Sequence, residues 1–472
     1  MNKIKFGTDG WRAIIAKDFT TENVARVSCA VAQWIKADTT RKPKIVIGHD
    51  CRFGGPLFAQ IASKIFIHYG IAVVTTQKGF VSTPMVSLAV RECGASLGVV
   101  ITASHNPAEY NGYKLKGSFG GPLLPNDVEA IERLIPDVCP VDPENTDLKK
   151  AHTDGLLIYD DFEQSYLLRV KQAFDIDLIG KSRLRLAYDA MYGAGQNAMR
   201  KILPGITFLH CEHNPSFNGQ APEPIEKNLK EISELIRRSG TIDCGLATDG
   251  DADRLGLFDS HGKFIDSHHI ILLTIHYLVK YKGLSGKVVT GFSGTPRIKR
   301  LCEHYGLPHV EVPIGFKYIA GLMADPNEDV LLGGEESGGI ALKTHIPERD
   351  GIWMGLTIWE FMARTGKSLG ELVDEVYAIV GPFAFERDDL HITESLKTDI
   401  IRQCSEGAYN LFGKYRVLKR ENLDGFKYIF DDDRWLMIRP SGTEPVLRTY
   451  AEAPTIEEVR KMLQACKLTI GA

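Results

Sequence analysis

Four short polar runs stand at the ends of apolar stretches, and their residue types could do chemistry. "DGDADR", 249–254, sets Asp249, Asp251 and Asp253 at alternate positions of one loop, followed by Arg254. Three carboxylates crowded in this way repel one another unless a cation sits among them. The spacing resembles the opening of a calcium-binding EF-hand, but the sixth position is Arg254 in place of glycine and the twelfth is Ser260 in place of glutamate, so that site is excluded. Hard oxygen ligands with open positions suit Mg²⁺, particularly when a phosphate oxygen completes the shell. The plain alternative is a solvated acidic turn.

"VVITASHNP", 99–107, ends an apolar run in Ser104, His105, Asn106 and Pro107. A serine here could act as a nucleophile, but the run lacks the glycines of a hydrolase nucleophile elbow, and on an extended chain His105 points away from Ser104. An acyl-transfer triad is therefore unsupported. "GGEESGG", 333–339, places Glu335, Glu336 and Ser337 among glycines, and carboxylates accept hydrogen bonds from vicinal hydroxyls such as a sugar offers. "RPSGTEP", 439–445, supplies the Arg439 fork, the hydroxyls of Ser441 and Thr443, and Gly442, which lets backbone N–H groups turn inward; such a loop suits a phosphate. It is not a Walker loop. Taken singly, each run is matched by an ordinary turn. In combination, a hydroxyl nucleophile, a cation loop, a polyol loop and a phosphate loop describe phosphoryl transfer on a phosphosugar.

The elements that must position these loops repeat. Three segments follow one plan, a β-rich run ending in glycines, a helix, a second strand, a helix, and a third strand ending in a polar loop. They begin at "KIVIGHDCRFGG" (44–55), "LRLAYDAMYGAG" (184–195) and "KVVTGFSGTPR" (287–297), and end at the loops of Ser104, Asp249 and Glu335. Apolar strands alternating with helices predict α/β sheets covered on both faces, with ligands at the strand ends. From about 378 the texture changes: "FAFERDDLHIT", a helical stretch near 395–411, "RWLMIRPSGTEPVLRTYAE", and an amphipathic helix 456–468 predict a smaller α+β domain. The expected divisions are 1–152, 153–260, 261–377 and 378–472, the first marked by the polar "VDPENTDLKK" (141–150).

Bulk composition excludes several partners. Lys+Arg 56 against Asp+Glu 60 leaves a net charge of -4 with no basic block, so neither nucleic acid nor an anionic membrane is expected. "MNKIKFGTDGWR" has no apolar core of a signal peptide, and no run of about 20 apolar residues follows, which predicts a cytosolic protein. The 9 cysteines are scattered and never spaced CxxC, so they read as reduced packing residues.

"TASHNP", "DGDADR", "GEESG" and "RPSGTEP" resemble the four active-site signatures of the α-D-phosphohexomutase family, and the resemblance covers essentially the whole chain. "FGTDGWR" (6–12) and "NGYK" (111–114) resemble two further family segments, which bring Arg12 and Lys114 to the site. The resemblance implies three related α/β domains and a C-terminal domain around a cleft. It implies that Ser104 carries a phosphate, that its oxygen and Asp249, Asp251 and Asp253 hold Mg²⁺, and that His105, Lys114 and Arg254 serve the transferring group. Glu335 and Ser337 would hold sugar hydroxyls, and Arg439, Ser441, Gly442 and Thr443 the other phosphate. A hexose bisphosphate would be both intermediate and activator. "GEESG", "VPIGFKYIA" (312–320) and "HIPERDGIW" (345–353) resemble the glucose-phosphate branch. In the mannose/glucose branch a histidine commonly follows the sugar motif, whereas this chain has Gly339, so Lys317 and His345 become the candidates for proton transfer or sugar contact. The expected reaction interconverts glucose 1-phosphate and glucose 6-phosphate. The alternatives are mutases of mannose, glucosamine or pentose phosphates, and a catalytically silent binding protein.

Overall fold

The apolar run before Ser104 forms a strand, Leu97–Ile101, in which all five residues are buried. The computed structural model describes residues 3–38, 42–440 and 446–472. They divide into two units, residues 1–289 with 315–373 and residues 290–314 with 374–472.

In the first unit, β1 (Trp11–Ile14), β2 (Lys44–His49), β3 (Ala72–Thr75), β4 (Leu97–Ile101), β5 (Tyr110–Gly117) and β6 (Leu157–Tyr159) make one sheet in the order β1-β5-β4-β2-β3-β6. β4, β2, β3 and β6 are parallel, β5 pairs antiparallel with β4, and β1 pairs antiparallel with β5. Ile45, Ile47, Val99 and Ile101 join the core beneath helices α1 (Thr21–Ala37) and α2 (Gly55–His68). The intervening Val46 and Val100 are buried as well, on the opposite face. Helix α3 (Thr83–Glu92) covers that face. Side chains at Gly48 and Gly98 would run into Val86 and Val90 of α3, so glycine is needed there for the close approach.

The second sheet runs β11-β10-β9-β7-β8, from β7 (Leu186–Asp189), β8 (Thr207–Leu209), β9 (Cys244–Thr248), β10 (Leu255–Phe258) and β11 (Phe264–Ile265). Here β9, β7 and β8 are parallel, β10 pairs antiparallel with β9, and β11 pairs antiparallel with β10. The third segment supplies β12 (Lys287–Gly291), β13 (His309–Val312), β14 (Val330–Gly334) and β15 (Ile340–Leu342), and the division between the units falls within it. β14 and β15 pair antiparallel, Leu332 opposite Leu342. One device therefore recurs three times: a fully buried strand, a polar loop, and an antiparallel return, at β4–β5, β9–β10 and β14–β15.

The second unit is α+β, as its sequence texture predicts. Its five-stranded antiparallel sheet joins Ala384–His391, Val446–Ala453, Arg434–Pro440, Phe426–Asp431 and Lys419–Glu421 in that order. Helix Ile456–Ile470 packs Val459, Met462, Leu463 and Cys466 into the core of that sheet. Arg297 forms a buried ion pair with Glu452.

Two expectations about extent are corrected. Residues 157–159 pair with β3, so the first sheet reaches past the expected division at 152. The stretch 395–411 is helical only over Glu394–Ser405; Gly407 at φ 72 turns the chain out of the helix, and Leu411–Phe412 is a short strand. All nine cysteines are free thiols, and no helix among the described residues is long and apolar enough to cross a membrane.

Candidate active site

Ser104 follows β4 and is 1% exposed. Its φ of 52° is left-handed, a conformation that a non-glycine residue adopts at a cost of about 1 kcal/mol or more. This turn overturns the expectation that His105 points away, since the extended chain assumed there does not occur. Ser104 Oγ lies 3.3 Å from His105 Nδ1 and donates to Asp249 Oδ2 at 2.7 Å. Burial, with the cations Arg254, Arg12, Lys114 and Arg52 nearby, holds His105 well below the usual histidine range, so its ring is neutral at pH 7. Arg12, on β1 opposite Gly112 of β5, donates to the Asn106 side chain at 2.6 Å.

Asp249, Asp251 and Asp253 form a fully buried group whose ligand atoms lie within 4.8 Å of one another. Asp249 Oδ1 accepts the N–H groups of Asp253 and Arg254, which folds the loop around it. Burial and the other two carboxylates push Asp249 well above the usual carboxylate range. Asp251 Oδ1 and Asp253 Oδ1 are buried without a hydrogen-bond partner. Orphaned anionic oxygens of this kind fit a divalent cation, and the all-oxygen donor set suits a hard one. Arg254 Nε lies 3.9 Å from Asp253 Oδ1.

Three cations and a hydroxyl absorb the remaining charge. Lys114 Nζ, on β5, bonds Asp251 Oδ2 at 2.7 Å, Asp253 Oδ2 at 3.0 Å and Asp9 Oδ2 at 2.9 Å. Burial alone would lower the Lys114 pKa, but the three carboxylates outweigh it and hold the ammonium charged. Arg349 pairs with both Asp9 and Asp253, and Lys116 with Glu348 at 2.7 Å. Thr83, the first residue of α3, donates to Asp251 Oδ2 at 2.5 Å. Asp9, Thr83 and Arg349 are site residues that the sequence reading missed. Asp9 lay within the quoted "FGTDGWR" and Arg349 within "HIPERDGIW", so their motifs were the available signal.

The polyol loop joins this cluster through backbone. Leu255 N–H donates to the Gly338 carbonyl, and Gly351 N–H to the Ala252 carbonyl. Glu335 Oε1 accepts the Gly315 N–H at 2.7 Å, which ties the "GEESG" loop to the start of helix Phe316–Ala324, where Lys317 sits. Burial, then Glu336, pushes the Glu335 carboxyl up to about 7. Ser337 is half-buried in the same loop. Lys317 lines a cavity of about 190 Å³ with Thr8, Asp9 and Gly10. A side chain at Gly339 would run into Arg349, so in this chain the arginine fills the space behind the sugar motif.

One expected residue is not among those that meet here. His345 bonds Asp350 at 3.1 Å, stacks on Trp353 with centroids 3.7 Å apart, and lines a different cavity of about 590 Å³ with Arg91, Arg169 and Lys343. Arg439, in the second unit, sets its fork on Asp424, with Nε at 3.0 Å and Nη2 at 3.2 Å. Ser441, Gly442 and Thr443 lie outside the described residues.

Comparison with known proteins places the chain among phosphosugar mutases. Models of the phosphoglucomutase/phosphomannomutase α/β/α domains I, II and III match residues 3–138, 164–262 and 266–380, and that of the C-terminal domain matches 409–467. A phosphoglucomutase/phosphomannomutase of Thermococcus kodakarensis is 29% identical over 97% of this chain and 96% of its own. A phosphoglucosamine/phosphogalactosamine mutase of Sulfurisphaera tokodaii is 30% identical over 95% of each. The crystal structure of a candidate phosphomannomutase from Thermus thermophilus superposes with a TM-score of 0.87 at 31% identity, covering 100% of both chains. With a serine hydrogen-bonded to a buried aspartate triad and four domain matches in order along its length, the chain belongs to the phosphoglucomutase/phosphomannomutase, or α-D-phosphohexomutase, family.

Proposed function

We propose that this chain moves a phosphate between the 1 and 6 positions of a hexose through phosphorylated Ser104, and that glucose phosphates are its preferred substrates. The observation that carries the reading is the Ser104 Oγ to Asp249 Oδ2 hydrogen bond at 2.7 Å, beside two aspartates with orphaned buried oxygens. Phosphoserine would add its own oxygens to that set, which suits Mg²⁺. When bound, Mg²⁺ would spread the negative charge of the transferring group.

The chain's own residues would do the rest. Lys114, already charged among the aspartates, and Arg254 offset charge on the phosphoryl group, and Arg12 orients the Asn106 end of the serine loop. Phosphoserine gives its phosphoryl group to a free hydroxyl of the sugar phosphate, forming a bisphosphate as the Ser104 Oγ–P bond breaks; the sugar hydroxyl's proton passes to a base, for which Lys317, lining one cavity with Asp9, is the candidate, and the freed serine oxygen takes up a proton in exchange, restoring the hydroxyl that donates to Asp249. The bisphosphate turns end for end and returns its other phosphate to Ser104. Glu335 and Ser337 would hold ring hydroxyls, and Arg439, Ser441, Gly442 and Thr443 the phosphate that is not reacting. Arg439 would exchange Asp424 for that phosphate, an exchange of one bidentate anion for another.

A panel of sugar 1-phosphates assayed with Mg²⁺ and a hexose 1,6-bisphosphate tests the substrate. Glucose 1-phosphate should have the highest kcat/KM, with mannose 1-phosphate lower by a few-fold to roughly 100-fold, which is up to about 3 kcal/mol for one unpaired hydroxyl. A higher value for glucosamine phosphate would move the reading to amino sugars, the substrates in the names of several relatives. Free phosphate as the only product would remove the mutase reading.

A further inference from the structure

Arg52 lies in the loop after β2, 2% exposed, and both of its Nη groups donate to the segment that carries Ser104. Nη2 donates to the carbonyls of Ser104 and Asn106, each at 2.5 Å. Nη1 donates to the carbonyls of Pro107 at 2.8 Å and Tyr110 at 3.1 Å. Nε faces Asp50 Oδ2 at 3.3 Å. That Asp50 oxygen accepts the Thr102 hydroxyl, and Thr102 Oγ1 accepts the Ser104 N–H at 2.8 Å. Ser104 is thus gripped on both sides: its N–H through Thr102 and Asp50, its C=O by Arg52. Between those two grips it holds the left-handed φ of 52° and the bond to Asp249.

A loop in this state has reason to move during turnover. Ser104 would alternate between a neutral hydroxyl and a phosphate carrying close to two negative charges, in contact with a carboxylate each time. Four carbonyls held by one planar fork resist that change. A lysine cannot replace the fork, because its ammonium is a compact point with three donors.

We infer that Arg52 is a positioning residue for phosphoryl transfer, its guanidinium fixing the backbone of residues 104–110 so that the serine keeps one geometry in both halves of the reaction. The inference rests on the reading of Ser104 as the phosphate carrier. It predicts a loss in the rate of transfer without a matching loss in sugar binding, since Arg52 is buried and both of its Nη groups are taken up by backbone carbonyls. Displacement of a reacting group by about 1 Å costs roughly 100-fold.

The test uses the full chain with Mg²⁺, glucose 1,6-bisphosphate and glucose 1-phosphate. Intact mass first measures how much Ser104 is phosphorylated, and thermal melting measures the fold, in the wild type, Arg52→Lys and Arg52→Ala. Arg52→Lys should melt cooperatively and accept phosphate, yet show kcat per phosphorylated serine lowered about 100-fold with KM within about threefold. Added methylguanidinium should restore part of the Arg52→Ala rate. If Arg52→Ala does not fold, Arg52→Lys, which keeps the charge and stem, carries the test. A folded Arg52→Lys with kcat per phosphorylated serine within threefold of wild type would overturn the inference and leave the carrier reading standing. Wild-type enzyme that turns over without phosphate on Ser104 would overturn the carrier reading, and the inference with it.

Discussion

Lys114 shows how single residues here were half legible. Its place in "NGYK" marked it for the phosphate, but the structure adds that its ammonium bridges Asp251, Asp253 and Asp9, so it already offsets charge in the loop where a cation would bind. Thr83 had no such mark, and Arg349 only its place in "HIPERDGIW". Thr83 meets Asp251 from 168 positions away and Arg349 meets Asp253 from 96, and pairings of that span leave no local pattern in a sequence. The aspartates were legible because repulsion among adjacent carboxylates is a local fact. If they hold the cation, Asp251→Asn should lower Mn²⁺ affinity tenfold or more, measured by calorimetric titration of the folded variant. Unchanged affinity would remove Asp251 from the cation site.

At the level of elements, the three strand–loop–return units explain why chemistry sits where it does. Each buried strand delivers its loop at a sheet end, and the antiparallel return strand β5 also brings Lys114 to the aspartates. Apolar runs gave the strands away; the return strands could not be assigned to the same sheets from periodicity, and β6 could not be assigned to β3, because pairing partners are long-range. A pH effect belongs at this scale. His210, at the end of β8, bonds Asp189 at the end of β7 and Glu231 of helix Lys230–Ser239, and the Asp189 hydrogen bond outweighs burial to raise it from 6.5 to about 9. The folded state therefore holds this proton more tightly than the unfolded chain. That contribution is full below about pH 6.5 and fades as the pH rises through about 9. Denaturant melts of His210→Gln should show a flatter pH dependence between those values than wild type, and an equally steep one would contradict the assignment.

Across the whole molecule, the residues assigned to one reaction are divided between the two units. Ser104, the aspartates, Lys114 and Glu335 belong to the first, and Arg439 belongs to the second. The division between the units falls inside the third family domain, 266–380, and the repeat in the first three domains was visible as a recurring plan of strands and loops. Family membership fixes the class of reaction more firmly than the sugar, because the relatives are named for glucose, mannose, glucosamine and galactosamine phosphates. The central claim is that Ser104 carries the phosphate between substrates. Its most direct test is peptide mass mapping after brief incubation with glucose 1,6-bisphosphate and Mg²⁺, beside turnover of Ser104→Ala. The account predicts phosphate on the peptide containing Ser104, its loss on chasing with glucose 1-phosphate, and turnover in Ser104→Ala lower by at least 1,000-fold, about 4 kcal/mol. Phosphate on another residue, with Ser104→Ala turning over at the wild-type rate, would contradict it.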